Sequence, residues 1–228
     1  MENKILFRAS SIGHLMTDSR TKNEILGKTA KSYIEKLFKE NEFGYVESIS
    51  SKYLDKGIQM EDVGIQMASE VLGWDFVVKN TERFNNDFIT GEPDILTDNL
   101  LADIKCSFNL GTFPMWDIEI TNKMYYWQMQ SYMMLTNKET SELVYVLTNT
   151  PFEIVEDEVR REHWKLHLID EDLNVREAVQ LSHNFDQIPN ELRIKRFIVQ
   201  KDEEAQAKII ERVKAARQYY EQLKTILS

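Results

Sequence analysis

Asp94, Asp103 and Lys105 stand in the stretch GEPDILTDNLLADIKCS, residues 91–107. Side chains two apart on a strand share a face. Asp103 and Lys105 therefore project together, while Ala102, Ile104 and Cys106 face the other way. The turn-forming run Thr97-Asp98-Asn99 lets the two apolar stretches around it pair antiparallel, which brings Asp94 close to Asp103. Two carboxylates and an ammonium then meet at one end of a hairpin. Hard divalent cations prefer carboxylate oxygen. One or two Mg²⁺ or Mn²⁺ ions held there can polarise a phosphate and acidify a water. The lysine beside them neutralises charge that develops on phosphorus. The carbonyl of Ile104, between the two side chains, is a further candidate ligand. Glu61, in DKGIQMEDVG, offers one more carboxylate from a helix; its neighbour Asp62 points to another face.

Alternating charges on an exposed strand face would look the same. The neighbours decide against that: Leu100, Leu101, Ile104 and Phe108 mark a buried strand, where two carboxylates and a lysine need a purpose.

The elements that must position these residues follow from periodicity and breakers. Asn23–Glu40 reads as an amphipathic helix ended by Asn41–Gly44. Asp55 caps a second helix through Leu72, closed by Gly73. Phe76–Val78, Phe84, Phe88–Thr90, Asp94–Leu96 and Leu100–Cys106 read as strands of a meander. Lys123–Leu135 reads as a helix, Leu143–Leu147 as a buried strand, and Pro151 opens a helix. Arg193–Val199 is a strand, and Asp202–Ile226 is a long helix behind a capping aspartate. The order predicts an α/β fold with a central mixed β-sheet flanked by helices. Residues 1–228 read as a single domain with a C-terminal helical extension, since no linker or repeat interrupts them.

Composition bounds the setting. With 42% apolar and 29% charged residues in 228, the chain can bury a core and is not of the disordered class. No apolar run approaches the about 20 residues of a membrane span. The N-terminal run is not a secretory signal. The single cysteine, Cys106, excludes a disulfide framework and suits a reducing cytoplasm. The net charge of -10 runs against nucleic-acid binding, but the basic residues are unevenly spread. Lys4, Arg8, Arg20, Lys22, Lys28 and Lys31 crowd one end, and Arg193, Lys195 and Arg196 form a second group.

The motif order resembles the PD-(D/E)XK nucleases, and more narrowly the lambda exonuclease and YqaJ-type phage recombinases. The resemblance runs through RASSIGHL (8–15), KGIQMED (56–62), GEPD (91–94), LADIKCSF (101–108) and YYWQMQSYMMLT (125–136), and covers about the first 150 residues. It implies a restriction-endonuclease-like core, a metal site on Glu61, Asp94 and Asp103, and Lys105 as the catalytic lysine. It also implies that Gln128 and Gln130 lie near DNA or the attacking water. Ser10 is the implied phosphate contact, with Arg8 beside it. One departure stands out: where lambda-type enzymes carry an arginine that helps bind the 5′-phosphate, this chain has Asn3.

The function so implied is a metal-dependent exonuclease resecting double-stranded DNA ends, 5′ to 3′, for single-strand annealing recombination. Its implied setting is the cytoplasm of a phage host, as a closed ring of three or four subunits working with a single-strand annealing protein. An endonuclease of the same superfamily is the alternative. A catalytically dead DNA-binding fold is a third reading, opposed by the intact Asp94, Asp103 and Lys105.

Other residues carry less. Tyr125, Tyr126, Trp127, Tyr132, Met133 and Met134 read as core rather than base-stacking residues. Phe108, Phe113 and Trp116 sit in a loop with Gly111 and Pro114, suited either to wedge a duplex end apart or to anchor the loop by burial. His163 and His167, four apart on an expected helix, lack the H-E-x-x-H pattern and read as solvated or satisfied.

Overall fold

A computed structural model describes residues 4–22, 24–47, 51–75 and 77–227. The chain opens with β1 (Phe7–Arg8) and a 3₁₀ turn (Ala9–His14), followed by α1 (Lys28–Phe43) and α2 (Lys52–Leu72). Then come β2 (Phe84–Asn85), β3 (Ile89–Gly91), β4 (Ile95–Leu96) and β5 (Leu101–Cys106). The helix α3 (Lys123–Thr136) leads to β6 (Thr140–Val146), α4 (Phe152–Lys165), α5 (Leu173–His183), β7 (Ile194–Gln200) and α6 (Glu203–Leu227).

The fold is the expected α/β arrangement of mixed sheet flanked by helices, and among the described residues the strands fall into two mixed sheets. In the first, β3 pairs parallel with β1 and antiparallel with β2. In the second the order is β4-β5-β6-β7, with only the β5–β6 pair parallel. The break falls at Glu92-Pro93-Asp94, where Pro93 has no N–H to continue a ladder. The parallel β5–β6 pair needs a crossover, and α3 supplies it.

Both faces of the second sheet are covered. On one face Leu101, Leu143, Phe197 and Val199 pack with Met129, Tyr132 and Met133 of α3. On the other, Ala102, Ile104, Val144 and Val146 pack with Ile65 and Ala68 of α2. The strand β5 is thus buried on both sides, which is why its residues read as a near-continuous apolar run. The C-terminal helix α6 lies in the core: Ile209, Val213, Ala216 and Tyr220 pack with Phe7, Ile12, Ala30, Ile34 and Phe38.

Several expected boundaries move for local reasons. The helix α1 begins at Lys28, not Asn23, because Gly27 passes so close to the Thr17 and Asp18 carbonyls that a Cβ there would meet them at 2.8 and 2.9 Å. Ser51, not Asp55, caps α2: its hydroxyl accepts the Leu54 N–H at 3.2 Å, and Asp55 falls in the first turn, where its charge suits the helix dipole. Val77 and Val78 form no strand. That segment is instead stitched down by Asn80, whose N–H reaches Asp94 O at 2.7 Å and whose amide donates to Pro93 O at 2.9 Å. The helix α5 is one that the sequence reading does not include. Asn3, Asn23 and Phe76 lie outside the described residues.

Lys56 ties α2 to the sheet. It is fully buried, and its Nζ donates to Phe108 O at 2.8 Å and to Thr148 O at 2.6 Å, on the loops that follow β5 and β6. Burial, helped by the charge of Arg193, pushes its pKa down to about 8 against the pull of Cys106. A folded pKa below the unfolded one means that the charged form costs stability below about pH 8, and that the cost is relieved as pH rises toward the unfolded value. Relative to Lys56→Met, the wild-type chain should therefore gain roughly 2 kcal/mol between about pH 7.5 and about pH 10. Urea titrations of both proteins across that range check this; a constant difference between them refutes it.

Candidate active site

Asp94 lies just before the short β4, and its Oδ2 accepts the Ile104 N–H at 2.6 Å. A strand residue directs its N–H and C=O to the same side. The Ile104 carbonyl therefore faces the gap beyond the end of β4, the side from which Asp94 arrives. Asp103 and Lys105 share the α3 face of β5, and the Lys105 Nζ lies 2.5 Å from Asp103 Oδ2. Asp103 is buried at 1% exposure, and apart from this ion pair its Oδ2 has no hydrogen-bond partner among the described residues.

Helix α3 holds the other oxygen. The Gln128 amide donates both its hydrogens, to Asp103 Oδ1 at 3.0 Å and to Tyr132 OH at 2.9 Å. The Tyr132 hydroxyl in turn donates to Glu92 O at 3.1 Å, beside Asp94 in the chain. The ring of Tyr125 covers the Lys105 ammonium at 5.0 Å. Tyr125, Gln128 and Tyr132 are spaced to share one helix face, although the sequence pattern reads the two tyrosines as core and only the resemblance implies Gln128 near DNA or the attacking water.

The electrostatics follow from crowding. Burial, then the charge of Asp103, pushes the Asp94 carboxyl up to about 8, against Lys105 and the Ile104 N–H. Burial also raises Asp103, opposed by Lys105. For Lys105, burial disfavours the ammonium, but Asp103 and Asp94 outweigh it and its pKa is raised. Two carboxyls so close and so dry are held short of full ionisation and would accept a further cation.

Glu61 comes from the opposite side of the sheet. Helix α2 lies on the face of Ala102, Ile104 and Cys106, and the Cys106 thiol donates to Met60 O at 3.3 Å. Gly64 sits against Cys106 and Ile104. The Glu61 charge reaches Asp94 and Asp103, but its carboxylate is paired with Lys79 at 2.9 Å, a partner on an irregular segment that no motif announced. Among the described residues no three acidic, imidazole or thiol side chains are already gathered into a metal cage. The donors nevertheless suit a hard divalent cation: the half-buried Asp94 carboxylate, the buried Asp103 carboxylate with an oxygen lacking any donor but Lys105, and a backbone carbonyl facing the same gap.

The remaining expected residues separate. Gln130, two residues from Gln128, faces away: its amide donates to Gln200 O at 2.8 Å and its Oε1 accepts the Asp202 N–H at 3.0 Å. Fully buried and so engaged, it braces the junction of β7 and α6, and the expectation of a DNA contact is corrected. Arg8 is exposed and lines a groove of about 1570 Å³ with Ser11, His14, Arg20, Lys28 and Lys36. Ser10 is exposed on the 3₁₀ turn. Arg193, counted above among the basic groups, is buried, and its Nε donates to Leu147 O at 2.8 Å. His163 accepts the Asp172 N–H on Nε2 and donates from Nδ1 to Val159 O, each at 2.8 Å, so it is satisfied; His167 lies beyond the end of α4 with φ 55°. No helix among the described residues is long and apolar enough to cross a membrane.

No protein-family model matches the chain. No curated protein matches it. Among solved structures, it is similar to a phage-related exonuclease from Haemophilus somnus 129PT, with 33% identity over 99% of this chain and 97% of that one, and a TM-score of 0.81. It also shares its fold with the alkaline exonuclease LHK-Exo from Laribacter hongkongensis, at 16% identity, 98% and 95% coverage and a TM-score of 0.62. A structure of LHK-Exo in complex with dAMP matches at 17% identity, 97% and 91% coverage and a TM-score of 0.64.

Proposed function

The chain belongs to the family of the Haemophilus somnus phage-related exonuclease, and on that footing we propose that it is a Mg²⁺- or Mn²⁺-dependent PD-(D/E)XK deoxyribonuclease that resects double-stranded DNA ends, 5′ to 3′. The observation that carries the reading is the Asp94–Asp103–Lys105 cluster, with Asp103 buried and its two partners half-buried and mutually perturbed at the open edge of β5. One or two ions would be held by Asp94, Asp103, the Ile104 carbonyl and Glu61, and would supply Lewis acidity toward the phosphate and acidify water.

The chain's own residues do the rest. Lys105, kept cationic by its two aspartates, presents positive charge to a phosphate oxygen as negative charge grows there. Gln128 fixes the Asp103 carboxylate by one oxygen and leaves the other facing Lys105. Tyr125 walls the ammonium off on one side, which lowers the local dielectric and strengthens its pull on phosphate.

The biological reading is resection that feeds single-strand annealing recombination, in the cytoplasm of a phage host with a single-strand annealing protein as partner. A closed ring of three or four subunits suits the charge. A net charge of -10 makes a poor electrostatic clamp, whereas an encircling ring needs only a local basic lining. Exposed Lys4, Arg8, Arg20 and Lys22 could supply it. The test pairs linear with covalently closed circular DNA. The expected outcome is nucleotide release from linear DNA in Mg²⁺, none in EDTA, an untouched circle, and a trimer or tetramer mass by light scattering. Cutting of the circle by a monomer makes the chain an endonuclease instead.

A further inference from the structure

The loop between β5 and α3, residues 107–122, is braced on both sides of a tip where Trp116 and Ile118 stand almost fully exposed. Phe113 is buried with Leu147 and Phe185, and Met115 and Tyr145 pack on the same cluster. Lys195 Nζ donates to Met115 O at 3.4 Å. Beyond the tip, the Thr121 hydroxyl donates to Asp117 Oδ2 at 3.3 Å, and Ile120 packs against the core cluster of Leu101, Met129 and Phe197. Between these anchors Trp116 is 87% exposed and Ile118 95% exposed.

The tip stands beside the candidate active site. Its loop leaves β5 directly after Lys105 and Cys106 and enters the helix that carries Gln128. The Tyr125 ring that covers Lys105 meets the Tyr145 ring at 6.0 Å, and Tyr145 belongs to the cluster that seats Met115, the residue before Trp116. A braced indole loses little conformational freedom when something packs on it. The ligand that the neighbouring Lys105 and its aspartates would bring to this spot is a nucleic-acid strand.

We infer that Trp116, flanked by Ile118, is a stacking platform for the nucleobase at the end of the bound strand, next to the phosphate that is cut. This rests on the nuclease reading of the site. Stacking tolerates any base, because every base has a π-face, as a resecting enzyme requires. It also supplies affinity without charge in a protein whose net charge is -10.

The experiment measures cleavage of a short blunt duplex in Mg²⁺ and its binding, by fluorescence anisotropy, in EDTA. Wild type, Trp116→Ala, Trp116→Phe and, as a matched loss of an exposed indole, Trp164→Ala on α4 are compared. Each meets a duplex with an intact terminal nucleotide and one with an abasic terminal nucleotide. Trp116→Ala should raise KM and weaken the anisotropy-derived affinity about tenfold, with Trp116→Phe recovering most of the loss and Trp164→Ala losing nothing. The abasic end should cost wild type the same factor and Trp116→Ala nothing more. Unchanged KM in Trp116→Ala, or independent losses from variant and abasic end, overturns the platform while leaving the nuclease reading intact. A wild-type chain that binds through Trp116 but cleaves nothing does the reverse.

Discussion

Asp103→Asn and Lys105→Ala each reduce nucleotide release from linear duplex DNA by a factor on the order of a thousand, at a metal concentration that saturates the wild type. The reasoning is electrostatic. Asp103 is the most deeply buried acid of the cluster, and its Oδ2 faces the Lys105 ammonium alone. The amide introduced by Asp103→Asn keeps the shape, but it removes the anion that would hold a cation and leaves Lys105 with Asp94 as its counter-charge. Lys105→Ala does the opposite: it leaves two buried carboxyls side by side, each driven further toward its neutral form and so less able to hold metal. Circular dichroism confirms that both variants fold. Wild-type cleavage by either one removes this cluster from the mechanism.

Gly64→Leu lowers stability by roughly 3 kcal/mol, the upper part of the range for overpacking a core. A Cβ at position 64 already stands 2.9 Å from the Cys106 thiol and 3.1 Å from Ile104 Cγ2, with Val146 behind them. A leucine side chain drives α2 away from β5. Glu61, one turn earlier on α2, then moves away from Asp94 and Asp103. The expected readouts are a depressed urea midpoint and, in the fraction that remains folded, a raised metal requirement. An unchanged midpoint would show that α2 and β5 are not in close contact here.

The parts of the site that the sequence made legible are those set by local geometry. Asp103 and Lys105 share a face because strands repeat every second residue, and the turn at Thr97–Asn99 returns the chain so that Asp94 reaches the Ile104 N–H. Parts set by distant segments were hidden. Gln128 and Gln130 cannot face the same way on a helix, but only the packing of α3, through Tyr132, shows that Gln128 is the one at Asp103. Glu61 was legible as an acid on α2, whereas its pairing with Lys79 depends on an irregular segment without periodic signal. Arg193 read as one of a basic group because a burial set by the carbonyl of Leu147, on a neighbouring strand's exit, leaves no local trace. The split of the meander into two sheets does have a local sign, in the missing N–H of Pro93.

The placement of α6 bears on how the molecule comes into being. The N-terminal cluster around Phe7, Ile12, Ile34 and Phe38 is completed by Ile209, Val213, Ala216 and Tyr220, and the Tyr220 hydroxyl donates to Glu42 Oε1 at 2.9 Å. Asp202, which caps α6, is gripped by Tyr126 of the same helix that carries Gln128. During synthesis the early segments therefore emerge with their apolar surface uncovered and wait for α6 to leave the ribosome. Contacts between segments so far apart in sequence make for slow closure. The helix that orients Asp103 through Gln128 is braced by α6 through Tyr126 and Asp202, so the site takes its final form only once α6 has docked.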